Sequence, residues 1–221
     1  AALEAAAEQS PSAGRAQLAN AHVWMLHRIF GNWDAILSVP KPDNGLPYLD
    51  GMISYTRGSA FVAQGDLEQA SLELQEVRDA AESLNETVIP GIANSPERLL
   101  MIAANILQGE IDEAQDNTQA AISAFARAVE VEDELRYGEP PNWPIAARLF
   151  LGQALLNAEQ PAAAEQVFRR DLVWHQNNGW ALFGLTQSLE MQDRSEAAAT
   201  ARARFEEAWS DADVELQAAR F

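Results

Sequence analysis

The feature that most restricts this chain is a spacing that occurs twice. In Arg57-Gly58-Ser59-Ala60-Phe61 running on to Ala70, and in Leu151-Gly152-Gln153-Ala154-Leu155 running on to Ala164, the same order of residues appears. A glycine inside an apolar stretch is followed by a bulky apolar residue three positions later, then a polar turn, then an alanine twelve positions after the glycine. A polar turn between two apolar stretches reads as two helices joined by a short connection. Composition agrees. Alanine, a strong helix former, supplies 41 of the 221 residues, while the best strand formers are sparse. The prolines punctuate the pattern between helix pairs, at Pro40, Pro42 and Pro47, at Pro90 and Pro96, and at Pro140 and Pro141, with Pro144 expected just inside the next helix. Pro11 and Pro161 fall at expected helix starts, where the missing amide is tolerated. Helices are therefore expected at about 12–30, 50–64, 66–84, 97–115, 117–136, 143–158, 161–174, 178–191 and 193–209, with a short one near 32–38 and a C-terminal segment from 211.

This pattern resembles the tetratricopeptide repeat (TPR), a helix–turn–helix unit of 34 residues. The resemblance implies an all-α, right-handed superhelical solenoid of antiparallel helix pairs. Repeat position 20 falls on Ile36, Ala70, Ala121, Ala164 and Ala198, at intervals of 34, 51, 43 and 34. Position 8 falls on Trp24, Gly58, Gly109, Gly152 and Thr186, and position 24 on Pro40, Leu74, Phe125, Phe168 and Arg202. About five repeats are expected over residues 11–221, the first and last degenerate as terminal repeats often are. One period before Ile36 lies Ala2, so residues 1–10 resemble the second helix of a preceding repeat. Phe30-Gly31-Asn32-Trp33, Glu139-Pro140-Pro141-Asn142-Trp143-Pro144, Asn178-Gly179-Trp180 and the ending Ala219-Arg220-Phe221 add a narrower likeness. Together they resemble the C-terminal half of larger bacterial TPR proteins, often exported and without an assigned activity. That likeness implies an exported protein with further helical repeats upstream, and it transfers no catalytic residue.

Charge and residue usage exclude several function classes. The charges sum to −18, and Lys41 is the only lysine, so the basic footprint that nucleic acid requires is missing. No apolar run approaches the roughly 18–20 residues that cross a bilayer. Cysteine is absent, which removes disulfides, thiolate metal sites and a thiol nucleophile. The start Ala-Ala-Leu-Glu-Ala-Ala-Ala-Glu lacks the basic and apolar regions of a signal peptide. His22 and His27 are five apart on one helix and diverge, unlike an i,i+4 metal pair. No serine-nucleophile or phosphate-loop motif occurs, and the expectation is a non-enzyme without cofactor or metal.

What remains is a surface for binding. In a TPR stack, positions 2, 5, 9 and 12 of the first helices commonly line the concave face. Here they include Arg28, Tyr55, Glu110, Glu113, Gln153, Trp180, Gln187 and Glu190, the candidate groove. Aromatic ends and an acidic middle point to a protein or peptide partner that is basic beside an apolar anchor. Arg28, Arg57 and Arg148 are expected to pair with nearby acids. Two readings stay open: a recognition module that holds a partner segment, or a structural C-terminal half that completes a catalytic or metal-binding domain upstream. A hydrolase hidden across repeats, or lying upstream, is a third and weaker alternative.

Overall fold

The structure, a computed structural model, describes residues 10–42 and 45–220. Among these the chain is all-helical, with ten helices and no strand. They are α1 (Pro11–Ile29), α2 (Trp33–Ser38), α3 (Pro47–Gln64), α4 (Leu67–Ser83), α5 (Pro96–Ala114), α6 (Thr118–Asp133), α7 (Ala147–Asn157), α8 (Pro161–Trp174), α9 (Gly179–Glu190) and α10 (Ser195–Ala208). No helix among the described residues is long and apolar enough to cross a membrane. The remnant helix expected over residues 1–10 lies outside the described residues, apart from Ser10.

The helix starts follow local chemistry. Ser10, Asp66 and Ser95 each accept a hydrogen bond from the backbone amide three residues on, at 3.2, 3.1 and 3.4 Å, satisfying a donor that the first turn leaves orphaned. Pro11, Pro47, Pro96 and Pro161 each occupy the first helical position. Two of the prolines expected between helices thus open one instead. Pro144 does the reverse: α7 begins at Ala147, later than the expected 143, because residues 137–146 run as irregular chain.

Two compact units divide between Pro144 and Ile145. In the first, α1 packs on α2 and α3, α3 on α4, α4 on α5 and α5 on α6, and α3 also touches α5 directly. In the second, α7, α8, α9 and α10 pack in chain order, and α7 also touches α9. The turn inside each helix pair carries one residue with a left-handed backbone: Gly31, Gly65, Asp116, Glu159 and Asp193. These residues are 34, 51, 43 and 34 apart, the same intervals as the sequence register.

The core sits where that register places small and large residues together. Ile36, Ala70, Ala121, Ala164 and Ala198 are all buried. A Cβ added to Gly109 would lie 2.4 Å from the Phe125 ring, and one added to Gly152 would lie 2.4 Å from the Phe168 ring. Phe125 and Phe168 are fully buried, so in both pairs a ring fills the space the glycine leaves. Arg202 and Pro40, at the equivalent of those rings in the end repeats, are exposed.

Candidate functional site

Three first helices of the first unit bring Arg28, Tyr55 and Glu110 together. Arg28 on α1 donates from Nη2 to Glu110 Oε1 on α5 at 2.5 Å and from Nε to Ser59 Oγ on α3 at 3.1 Å. Ser59 donates to the other carboxylate oxygen, Oε2, at 2.7 Å. The guanidinium also lies over the Tyr55 ring, 5.2 Å from its centroid, a cation–π contact. Burial works against the charged guanidinium, but the Glu110 carboxylate outweighs it and holds Arg28 above the ordinary arginine range. A desolvated pair of this kind is a structural joint between three helices.

Arg28 thus pairs with a nearby acid, as expected, and this placement narrows the candidate groove. Arg28 and Tyr55 are 1% and 0% exposed, so neither offers an open surface to a ligand. Glu110 uses both carboxylate oxygens internally, and Glu190, which is exposed, pairs with Arg202. Glu110 and Glu190 are therefore each paired with one of the protein's own arginines. Glu113 is half-buried on α5.

The Tyr55 ring is covered by the chain itself. Trp143, from the irregular stretch after α6, sits with its ring centroid 5.8 Å from that of Tyr55, tilted by 43°. The neighbouring Asn142 places Oδ1 3.0 Å from both the backbone amide and the side-chain amide of Asn94, which donate to it. Asn94 completes the clasp by accepting from the Arg136 amide at 2.7 Å and donating to the Arg136 carbonyl at 3.0 Å. His22 on α1 hydrogen-bonds the Asn142 backbone, and burial lowers its pKa below the ordinary histidine value despite that bond. This irregular segment is thus held against α3 through Tyr55 and against the loop before α5 through Asn94.

The second unit repeats the theme. Gln153 on α7 accepts at Oε1 from the Ala219 amide at 2.7 Å, and Arg220 lies over the Phe150 ring at 5.5 Å, so the C-terminal stretch folds back onto α7. Trp180 is half-buried edge-on against Trp209, 5.0 Å between centroids. The buried Gln187 Oε1 meets no donor among the described residues.

The other candidates settle as structure. Arg57 pairs with Glu73, which also takes Lys41, so the sole lysine pins the α2–α3 connection onto α4. At the end of α8, the buried Asp171 carboxylate bonds His175 Nδ1 at 2.9 Å and accepts from the Asn178 side-chain Nδ2 at 2.8 Å, fixing the turn into α9. No group of three or more metal-ligating side chains occurs among the described residues. Sequence reasoning placed Tyr55 and Gln153 on the inner face but missed what they hold. The signal was present: Asn142-Trp143 is a polar–aromatic pair set among three prolines in a stretch too broken to be helical. No protein-family model, curated protein or solved structure matches the chain.

Proposed function

We propose that this chain is a non-catalytic, TPR-like, right-handed solenoid of antiparallel helix pairs that holds protein segments on the inner faces of its first helices. The left-handed turn residues, recurring at the register intervals, support the repeat reading. So do the contacts of α3 with both α4 and α5, and of α7 with both α8 and α9: each first helix touches its own partner and the next first helix. The observation that carries the binding reading is the Asn142–Trp143 pair, whose indole lies against the Tyr55 ring of α3 and whose carboxamide is held by Asn94. The net charge of −18 steers basic segments toward the protein, and an aromatic or apolar anchor supplies the contact.

Panning a random peptide library against the chain, then titrating the best binder at low and high salt, tests this. Enriched peptides should carry arginine or lysine beside an apolar anchor, and affinity should fall as ionic strength rises. Enrichment of acidic peptides, or the absence of any saturable binder, refutes it. One observation favours the second reading, a structural half of a larger protein: Val23 and Leu26 on α1, with Phe30 at its C-terminal cap, are 53%, 51% and 72% exposed. If that surface serves a covering domain, Leu26→Gln should suppress self-association of the isolated chain without lowering its melting temperature.

A further inference from the structure

Three first helices each sit in a seat made by the pair before them. α3 packs on α1 and α2, α5 on α3 and α4, and α9 on α7 and α8. Hydrogen bonds fix the register of that seat. Gln64, ending α3, donates to Asp34 of α2 at 3.0 Å, and Gln192, just past α9, donates to Glu165 of α8 at 3.0 Å. Further along, Arg78 of α4 donates to Gln108 of α5 at 2.8 Å. Between those two points one position of the first helix is closed every time: Ala60, Ile111, Ala154 and Ser188 are all buried.

Two surfaces lack this contact among the described residues. α1 meets only α2 and α3, and α10 meets only α9. At the position where the later first helices are buried, α1 carries Leu26, which is exposed. Phe30, capping α1, stands at the position of Gln64 and Gln192, and Val23 at that of Gln108; both are exposed. α1 therefore shows solvent the face with which its equivalents enter a seat. The matching seat is empty on α9 and α10, an open groove of about 380 Å³ whose lining includes Ala198, Ala199 and Ala203. Ala199 stands one repeat beyond Glu165, and Glu206, also in the lining, stands at the position of Arg78. Small side chains on one surface face large apolar ones on the other, as ridges meet grooves. Charge is matched as well. α1 contains no aspartate or glutamate and exposes Arg15 and His27, whereas Glu190, Asp193 and Glu206 border the groove, with Arg202 paired to Glu190.

We propose that this chain associates head to tail, α1 of one copy docking in the α9–α10 groove of a second copy in the place of a following first helix. Phe30 of the docked helix meets Ala199, Val23 meets the turn that bears Glu206, and Leu26 closes between them. The occupant is a second copy because the two surfaces agree in register, side-chain size and charge. The contact is heterologous: each copy that uses one surface leaves the other free, so association continues past two copies instead of closing at a symmetric dimer. This rests on the helix-pair repeat reading above and is independent of peptide binding.

The test is sedimentation of the whole chain over a wide concentration range, comparing the unaltered protein with Leu26→Gln, Ala199→Arg and the two combined. These substitutions alter exposed side chains, and native helicity and melting temperature are checked first. The unaltered chain should grow in mass with concentration. Leu26→Gln and Ala199→Arg should each stay monomeric, since each spoils one surface in every copy, and so should the double variant. An equal mixture of the two single variants should give a species of two chains and nothing larger, because only the intact α1 of one can enter the intact groove of the other. A monomeric unaltered chain, or a mixture that stays monomeric, overturns the proposal. So does assembly that Leu26→Gln abolishes and Ala199→Arg leaves untouched, the result for α1 packing on a second α1. If either substitution costs the fold, Val23→Gln or Ala203→Arg takes its place. A folded chain that is monomeric throughout leaves the repeat reading and the library result standing, so failure here is distinct from failure of either.

Discussion

Phe168, in the second unit, is fully buried, and its ring lies in a slot between two glycines. A Cβ on Gly152 would fall 2.4 Å from its Cζ, and one on Gly184 2.3 Å from the same atom. Such separations are far inside van der Waals contact, and the ring cannot retreat from one glycine without meeting the other. Gly152→Ala gains about 1 kcal/mol of helix propensity, but forcing an atom into a filled core costs about 1–3 kcal/mol. The net is a loss of up to about 2 kcal/mol, which is several degrees in melting temperature at about 2–4 °C per kcal/mol for a chain of this size. Phe168→Leu removes the ring atoms that clash, so in that background Gly152→Ala should become neutral or stabilising. A double-mutant cycle by urea unfolding should therefore give a coupling of at least ~1 kcal/mol, as expected for residues in contact. Gly184→Ala should behave alike. Gly138→Ala is the control, since its nearest neighbours would be Pro140 O at 3.7 Å and Ala93 Cβ at 3.8 Å, which is ordinary contact. Additive losses for Gly152→Ala and Phe168→Leu would refute the packing argument and, with it, the assignment of Gly152 to the helix crossing.

The charged groups set two further outcomes. Glu110→Ala removes the counter-charge of the buried Arg28 and should lower stability by about 3–5 kcal/mol, whereas Arg28→Met combined with Glu110→Leu should recover most of that loss; equal losses in the two proteins would show that the pair is not a desolvated joint. Burial opposes the charge on Glu165, but hydrogen bonds from Arg169, Gln192 and Arg194, with the Arg169 charge, prevail and hold its carboxyl below 4.5. A carboxylate with a lowered folded pKa contributes stability above its unfolded value and loses it as pH falls through the folded one, so Glu165→Gln should flatten the acid limb of a stability–pH curve below about pH 4.5 and leave its shape near neutrality unchanged.

The helices and their register were legible because close packing leaves marks that sequence preserves. Gly109 with Phe125 and Gly152 with Phe168 are separated by the same sixteen residues, and each pair is a small residue facing a large one across a crossing. The turns were legible only by counting. Gly31 and Gly65 announce a left-handed backbone, but Asp116, Glu159 and Asp193 adopt it without glycine, so tertiary packing over-rides local preference at three of five places. The start of α7 was misplaced for a related reason. Pro144 satisfies the local rule for a helix start, yet Asn142 just before it is committed to a clasp with Asn94, 48 residues earlier, which no local rule contains.

The inner face shows most sharply where such reasoning stops. Positions 2, 5, 9 and 12 of the first helices gave Tyr55 and Gln153, and each contacts an irregular stretch of the same chain, one through Trp143 and the other through the Ala219 amide. Helical position fixes which side chains share one face of a helix, because that is a property of helix geometry alone. Whether the segment they hold belongs to the same chain depends on the length and composition of the loops and tails that leave each unit's last helix. In the first unit the loop from Glu134 to Ala146 is long enough to turn back, and it carries the indole that Tyr55 receives. An acidic groove read from helix positions is therefore an upper bound on the open surface. Arg28 on α1 reaches the carboxylate of Glu110 on α5 and fills the role assigned to a partner's cation. In a stack whose first helices lie side by side, any arginine on a neighbouring first helix competes with a ligand for the same acid, and it does so at the high effective concentration of a group in the same molecule. Under the proposed binding reading, basic selectivity would come from the long-range field of −18 rather than from contacts at Glu110, and salt would then weaken binding through the rate of association more than through dissociation.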